Sequence, residues 1–423
     1  MKKRSTADIV MHSRSADDTQ SRSIMHPGDQ DTTMKNVLLY YSFSFAFGGG
    51  DYLPLSLIAA LQKTSNLTVA ADLACNIERT AKTFGIDIDM SKFKVVQVTP
   101  PDYNPKKHTV FLSFYRFRKL KRLARNADVC ISTASIMDFG KPSHQFVNML
   151  AFGDDDFTAY ILNPAAPARP GLRARIKRFV SDSVLRPLLG MRTKRSVICD
   201  KRNHIYPNSL FVENLMKEFY GPFNSSVFYP PTLFEAKSTA VSRDPLKVVY
   251  IGRIIPEKRL EALIGIVEKA RALTGLDIKF HAAGRLDQSP SYGRKLDGMA
   301  QERDWLKFVG ALYGDEKAQF LLSGSCAIHA ERIEAFGISV VEYLKAGNIA
   351  IVPDEGGTPE VVDSPELTYH TDDDAARILA RLLTDSEFRE RQRTHCATRA
   401  EFFSREAYFK RQDELLERFL QTP

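Results

Sequence analysis

The chain has 423 residues, of which 43% are hydrophobic and 26% charged. That is the composition of a globular protein long enough for two domains of roughly 150 residues each. Its five cysteines are scattered, odd in number and never at metal-ligand spacing, which argues against a disulfide scaffold or cysteine-held zinc and fits reduced thiols in a cytosol.

No apolar run approaches the ~20 residues that span a bilayer. Residues 1–33 are polar, carry charges of both signs and lack the apolar segment of a secretory signal, so they are expected to be a disordered lead. The net charge of +8 is focused. Lys106–Arg125 holds eight Lys/Arg and no acid, and Arg169–Arg202 holds eleven against Asp182 and Asp200. These segments carry +8 and +9, which leaves the rest of the chain near −9.

In chain order, NVLLYYS (36–42), LTVAADL (67–73), KVVQVTP (94–100), DVCISTAS (128–135) and FTAYILNP (157–164) are predicted strands. After a proline-rich and polar stretch at 228–245 come KVVYIGR (247–253), DIKFHAAG (277–284), LKFVGAL (306–312), CAIHA (326–330) and NIAIVPD (348–354). Continuous apolar strands separated by helices imply parallel sheets covered on both faces. Two such series predict two Rossmann-like α/β domains, over 34–236 and 237–403, followed by a C-terminal helix over 404–423.

The chemistry is expected at strand ends. Gly48, Gly49 and Gly50 separate the first strand from a helix, where backbone can approach an anion at the helix N-terminus. In IGRIIPEK (251–258), Arg253 closes a strand and Lys258 follows in the next turn. A rigid guanidinium fork beside a compact ammonium suits a diphosphate. In ERIEAFGISVVE (331–342), Glu334 falls in the loop after a strand, Gly337 starts a helix and Glu342 sits in its second turn among Val340, Val341 and Leu344. The open amides of Phe336, Gly337, Ile338 and Ser339 lie between the two carboxylates, at the positive end of the helix. Acceptors flanking backbone donors suit a polyhydroxylated, phosphorylated ligand. DEGGTPEVV (354–362) repeats the device, with Thr358 as the predicted N-cap and Pro359 at the first helical position.

GRIIPEK, EAFGISVVEYLKAG and PDEGGTPEVV, in that order, resemble the donor half of GT-B glycosyltransferases, specifically the retaining family numbered four, glycosyl transferases group one. The resemblance covers about residues 34–420, most closely in the second half. It implies two Rossmann-like domains facing across a cleft, the N-terminal one for the acceptor and the C-terminal one for a nucleotide-diphosphate sugar. It also implies a C-terminal helix packing back on the first domain. Carried over, Arg253 and Lys258 hold the diphosphate, Glu334 touches the sugar hydroxyls and Glu342 the ribose. The Phe336–Ile338 amides meet phosphate or sugar. NSLFVENLMKEFYG (208–221) and the glycine loop with Gly49 and Gly50 also fit. Where relatives place a histidine near the sugar, this chain offers His144, or Asn148 in another register. GDDDF (153–157) has a D-x-D spacing, Asp154 and Asp156, but the resemblance implies metal-independent transfer and no cofactor beyond the sugar nucleotide.

The resemblance therefore implies a retaining hexosyltransferase acting on a glycan or lipid-linked acceptor, in cell-surface polysaccharide or glycolipid synthesis. Two alternatives stand beside it: a non-catalytic GT-B scaffold that binds glycan or a partner enzyme, and a GT-B-like sugar-nucleotide epimerase. In SFYRFRKLKRLARNA (113–127), Arg118, Lys121, Arg122 and Arg125 form a basic stripe beside an apolar one, which suits an anionic membrane surface as well as an ordinary solvated helix. The segment 168–195 combines the same features. No aromatic-basic module supports nucleic acid binding. The expected location is cytoplasmic, with peripheral attachment to the cytoplasmic membrane face.

Overall fold

The computed structural model describes residues 34–421 except 42–48, 73–76, 101–109, 134, 149–154, 163–179, 181–183, 185, 233, 236–240 and 286–289. The predicted lead at 1–33 and Asp154 lie outside the described residues, as does most of the second basic segment.

Two six-stranded parallel sheets carry the fold. The first contains β1 (Asn36–Tyr41), β2 (Asn66–Ala71), β3 (Phe93–Gln97), β4 (Val129–Ser132), β5 (His144–Val147) and β6 (His204–Pro207), in the order β3-β2-β1-β4-β5-β6. The second contains β7 (Lys247–Ile251), β8 (Lys279–Ala283), β9 (Leu306–Phe308), β10 (Cys326–Ile328), β11 (Ile349–Pro353) and β12 (Thr368–Tyr369), in the order β12-β11-β10-β7-β8-β9. Both follow the same doubly wound scheme. The chain reverses direction between β1 and β4 in one sheet and between β7 and β10 in the other, and at such switch points a crevice opens at the carboxyl ends of the strands.

Alternation explains why the strands read as unbroken apolar runs. Val37, Leu39 and Tyr41 of β1 join one core layer while Leu38 and Tyr40 join another, as burial on both faces requires. The structure corrects the prediction at FTAYILNP, which contributes to a helix, Asp155–Leu162, with Phe157 and Ile161 buried one turn apart. The strands in its place are β5 and β6, four residues each.

The C-terminal helix, Arg405–Gln421, crosses back to the first sheet, as the resemblance implies. Its buried residues Tyr408, Gln412, Leu415, Leu416 and Phe419 recur at helical spacing and pack on the helix Tyr52–Thr64. Each buried large apolar side chain contributes about 1.5–3 kcal/mol relative to exposure. Inside that contact the Tyr408 and Ser56 hydroxyls lie 2.9 Å apart and the Tyr408 hydroxyl donates to Gln412 Oε1 at 3.0 Å. Among the described residues no helix is long and apolar enough to cross a membrane.

Candidate functional site

The switch point of the second sheet gathers the strongest charges of the sequence motifs. After β7 the chain passes Gly252 and Arg253 and makes a single 3-10 turn, Pro256–Lys258. Arg259 then adopts a left-handed conformation with φ 51°, unusual for a residue with a side chain. Its guanidinium spans to the carbonyl of Ala330 at 3.3 Å and to Asp372, which ties the turn carrying Lys258 to the loop after β10. Sequence reading passed over Arg259, because its partners lie 71 and 113 residues away.

That loop brings two carboxylates onto one ammonium. Lys258 Nζ donates to Glu334 Oε2 at 2.5 Å and also pairs with Glu331. All three side chains are largely withdrawn from water, at 14%, 22% and 21% exposed. Burial opposes the charge on Lys258, but Glu334 and Glu331 overcome it and hold its pKa above the usual lysine value. Burial likewise pushes Glu334 up, yet the Lys258 charge prevails and lowers it. Glu331 goes the other way, pushed up to about 7 by burial and by the neighbouring Glu334. Glu331 was not singled out in the sequence; it lies three residues before Glu334, and only the fold brings both to Lys258.

Beneath them His329 is buried, 1% exposed, with neither ring nitrogen hydrogen-bonded and Nε2 3.7 Å from Glu334 Oε2. Burial lowers its pKa to about 4, so the ring is neutral. One donor atom each from His329, Glu331 and Glu334 fit within 4.8 Å of one another, a spacing that a divalent ion can bridge. The Lys258 ammonium, however, already pairs with both carboxylates and supplies positive charge there.

The helix Ile338–Lys345 begins as predicted, with Gly337 as its N-cap at φ 98°. A side chain there would be strained and would press on Thr358. The first amides of the helix, including Ile338 and half-buried Ser339, have no intrahelical acceptor. Phe336 is buried. Glu342 is 7% exposed and accepts from Lys317 at 2.5 Å, which answers why a carboxylate is tolerated among Val340, Val341 and Leu344: it is paired. Tyr343 of the same helix accepts from the backbone N–H of Ile251 at 2.8 Å, anchoring the end of β7.

The loop before the helix Thr358–Val362 lies against the Glu334 backbone. Gly357 N–H donates to Glu334 O at 2.8 Å, and any side chain at Gly357 would collide with the Ala335 carbonyl. The cap itself differs from the prediction by one position: Gly357 is the N-cap and Thr358 the first helical residue, with no side-chain cap bond.

Arg253 is exposed and forms no ion pair among the described residues, while its carbonyl accepts from the Tyr250 hydroxyl at 3.1 Å. Gly49 and Gly50 belong to the other sheet, in a 3-10 turn, Gly49–Asp51, between β1 and the following helix. They sit at the carboxyl edge of that sheet and not with the Lys258 cluster in sequence or sheet.

His144 is the first residue of β5, at the edge opposite the crevice. Its ring stacks on Phe419 with centroids 3.7 Å apart, and burial and then His204 lower its pKa to about 3. It serves to dock the C-terminal helix. Asn148, just past β5, is on the crevice side, donating to Thr133 O at 2.8 Å. Asp156 falls in the helix Asp155–Leu162.

The helix Val110–Ala124 resolves the first basic stripe. Arg118, Arg122 and Arg125 are exposed beside Tyr115. Lys121 is not part of the free stripe, for it turns inward to Asp138 at 3.2 Å and the Gly190 carbonyl at 3.1 Å.

The two domains meet beside the cluster. Ser209 caps the helix Leu210–Tyr220 and donates its hydroxyl proton to Ala335 O at 2.6 Å. Glu360 of the second domain accepts from Leu210 N–H at 2.9 Å and from the Tyr229 hydroxyl at 2.6 Å.

Residues 233–398 match the family described as Glycosyl transferases group 1. The chain is 26% identical over 194 residues to the phosphatidylinositol N-acetylglucosaminyltransferase gpi3 subunit of Schizosaccharomyces pombe, which is 45% of this chain and 38% of that relative's length. Among solved structures, Anabaena Alr3699/HepE in complex with UDP and glucose aligns with TM-score 0.60 at 14% identity, covering 91% of this chain and all of the other. WaaG, a glycosyltransferase involved in lipopolysaccharide biosynthesis, aligns with TM-score 0.58 at 14% identity, over 86% of this chain and 95% of its own. At that identity the likeness is one of fold, the two-domain GT-B architecture.

Proposed function

From the membership of residues 233–398 in the group 1 glycosyl transferases, we propose that the chain transfers a hexosyl unit from a nucleotide-diphosphate sugar to a glycan or lipid-linked acceptor. The observation that carries this reading is the placement of Lys258, Glu334 and the open amides of Gly337–Ser339 at the switch point of the second sheet. Lys258 and exposed Arg253 stabilise negative charge on the leaving diphosphate, an electrostatic contribution that preorganised donors make well in a water-poor site. Glu334 accepts from sugar hydroxyls and Glu342 from ribose, the latter sharing Lys317. Gly49 and Gly50 approach the donor from the opposite edge.

The family resemblance supports retention, and Lys258, which brings the positive charge that a divalent ion brings elsewhere, supports transfer without a metal ion. The S. pombe relative is a phosphatidylinositol N-acetylglucosaminyltransferase subunit, which supports a lipid-linked acceptor here. The exposed arginines of Val110–Ala124 and its neighbour Arg125 support approach to an anionic membrane. Each cation near such a surface is worth ~1 kcal/mol.

Screening nucleotide sugars for protection against thermal unfolding tests the donor half. A true donor at 100 times its dissociation constant adds about 2.7 kcal/mol, and no protection by any of them overturns the reading. For the acceptor side, changing Arg118, Arg122 and Arg125 to Glu should abolish sedimentation with anionic liposomes at low salt while sparing donor binding. Wild-type protein that ignores such liposomes points to a soluble acceptor.

A further inference from the structure

The Lys258 cluster has one carboxylate more than it has cations, since exposed Arg253 makes no ion pair with Glu331 or Glu334. Three ionisable groups meet in it, Lys258 against Glu331 and Glu334. The groups facing Glu331 from other elements do not redress the balance. His329 on its own strand end is neutral. The Tyr250 hydroxyl from β7 is also neutral, its pKa raised by burial. The Arg259 guanidinium is engaged by Ala330 O and Asp372, and Arg332 turns to Asp354 and Glu355. With both carboxylates ionised the cluster is net negative at the place where a sugar nucleotide must set down a diphosphate of two negative charges. Like charges at such separations are strongly unfavourable in a water-poor site.

We infer that Glu331 is a placeholder for the donor's diphosphate: it holds Lys258 until a nucleotide sugar binds and then releases it, taking up a proton. This rests on the reading of the pocket as a nucleotide-sugar site and gives its donor binding a proton linkage. The ammonium of lysine has three protons to give, so it can keep Glu334 while turning from Glu331 to phosphate. The charge balance is then complete: one proton from solvent neutralises the Glu331 carboxylate, and its O–H has Glu334 within reach as acceptor. No covalent bond changes. Glu331 acts on the donor only through Lys258, so it is a positioning residue.

The direction of the linkage follows from the groups around Glu331. Burial and Glu334 already hold the Glu331 pKa at about 7. Losing Lys258 to an incoming anion raises it further. Binding therefore draws in protons just above neutral pH, and donor affinity falls as pH rises through 7, by at most ~10-fold per pH unit for one linked proton.

The test is isothermal titration of the full chain with UDP-glucose, UDP-N-acetylglucosamine and GDP-mannose at pH 7.5, in buffers of low and high ionisation enthalpy. These sugar diphosphates have no ionisation of their own near neutral pH. A positive proton uptake per bound donor is expected. In Glu331→Gln the uptake should vanish and the affinity should change little between pH 6.5 and 8.5. Binding without uptake by wild-type protein overturns the placeholder and leaves the nucleotide-sugar reading standing, as does uptake that persists in Glu331→Gln. If none of the three sugars binds, the pocket reading fails and the placeholder fails with it. Wild-type uptake is measured without any substitution, so a poorly folded variant does not rescue the idea.

Discussion

The two sheets share one strand order, yet their carboxyl edges are finished differently. In the first, Asp72 at the end of β2 is 2% exposed and takes the Tyr40 hydroxyl at 3.0 Å and Arg116 at 2.8 Å. Asn148 and Thr133 close on each other nearby. In the second, Lys258 is shared between two carboxylates, Arg253 stands exposed and the first helix amides are open. Among the described residues, the first edge holds the Asp72–Arg116 pair and the second an ammonium divided between two carboxylates. A crevice whose charges are mismatched is a place made for something else, and the same topology can host either.

The largest expected effect tests the matched edge. Arg116→Ala removes the guanidinium that pairs with buried Asp72, and breaking such a pair costs ~3 kcal/mol or more. Urea unfolding measures it, and a loss under about 1 kcal/mol would mean that the first edge is no better matched than a surface pair. Activity per folded molecule should hardly change.

The mismatched edge should respond in the opposite way. Lys258→Ala and Arg253→Ala are each expected to cut turnover ~100-fold, the scale of a lost transition-state donor, while circular dichroism shows a folded chain. Near-normal turnover in both variants would remove the distinction between the edges.

A smaller effect comes from the far side of the first sheet. His144 has a folded pKa of about 3 against an ordinary value near 6.5, so the native state favours the neutral ring. The stability it lends is whole above pH 6.5 and drains away as pH falls toward 3, by at most ~1.4 kcal/mol per unit. His144→Phe, which keeps a ring against Phe419, should flatten the acid limb of stability measured by thermal melts. An unchanged limb would locate the acid sensitivity elsewhere.

The smallest expected effect is none at all. Turnover should survive EDTA, since Lys258 supplies the charge. Complete loss restored by magnesium or manganese would hand the Glu331, Glu334 and His329 set to a metal ion, and would reopen the question of Asp154 and Asp156.

The second domain was far more legible than the first. Its chemistry lies in three short contiguous stretches at successive strand ends, so spacing alone aligned Arg253, Lys258, Glu334 and the helix starts. Glu331 and Arg259 escaped because their meaning comes from loops brought together by the sheet. In the first domain β5 and β6 are only four residues long, one carries buried Gln145 and the other ends at Pro207, so neither reads as a continuous apolar strand. FTAYILNP is rich in strand formers, and only the spacing of Phe157 and Ile161 betrays the helix. Lys121 looked like its neighbours in a stripe until Asp138, seventeen positions on, claimed it.

Tyr229, Phe336, Phe402 and Phe403 form one aromatic knot, with ring centroids 5.0–5.9 Å apart. Tyr229 belongs to the outward crossing from the first domain to the second, and Phe402 and Phe403 to the return. Two bodies joined by two chains that pass side by side have their pivot at that point. Displacement under rotation grows with the lever arm. Phe336, two residues from Glu334, stands at the pivot itself, where the arm is shortest. Any rotation of one domain against the other would therefore turn the Lys258 pocket while scarcely moving it.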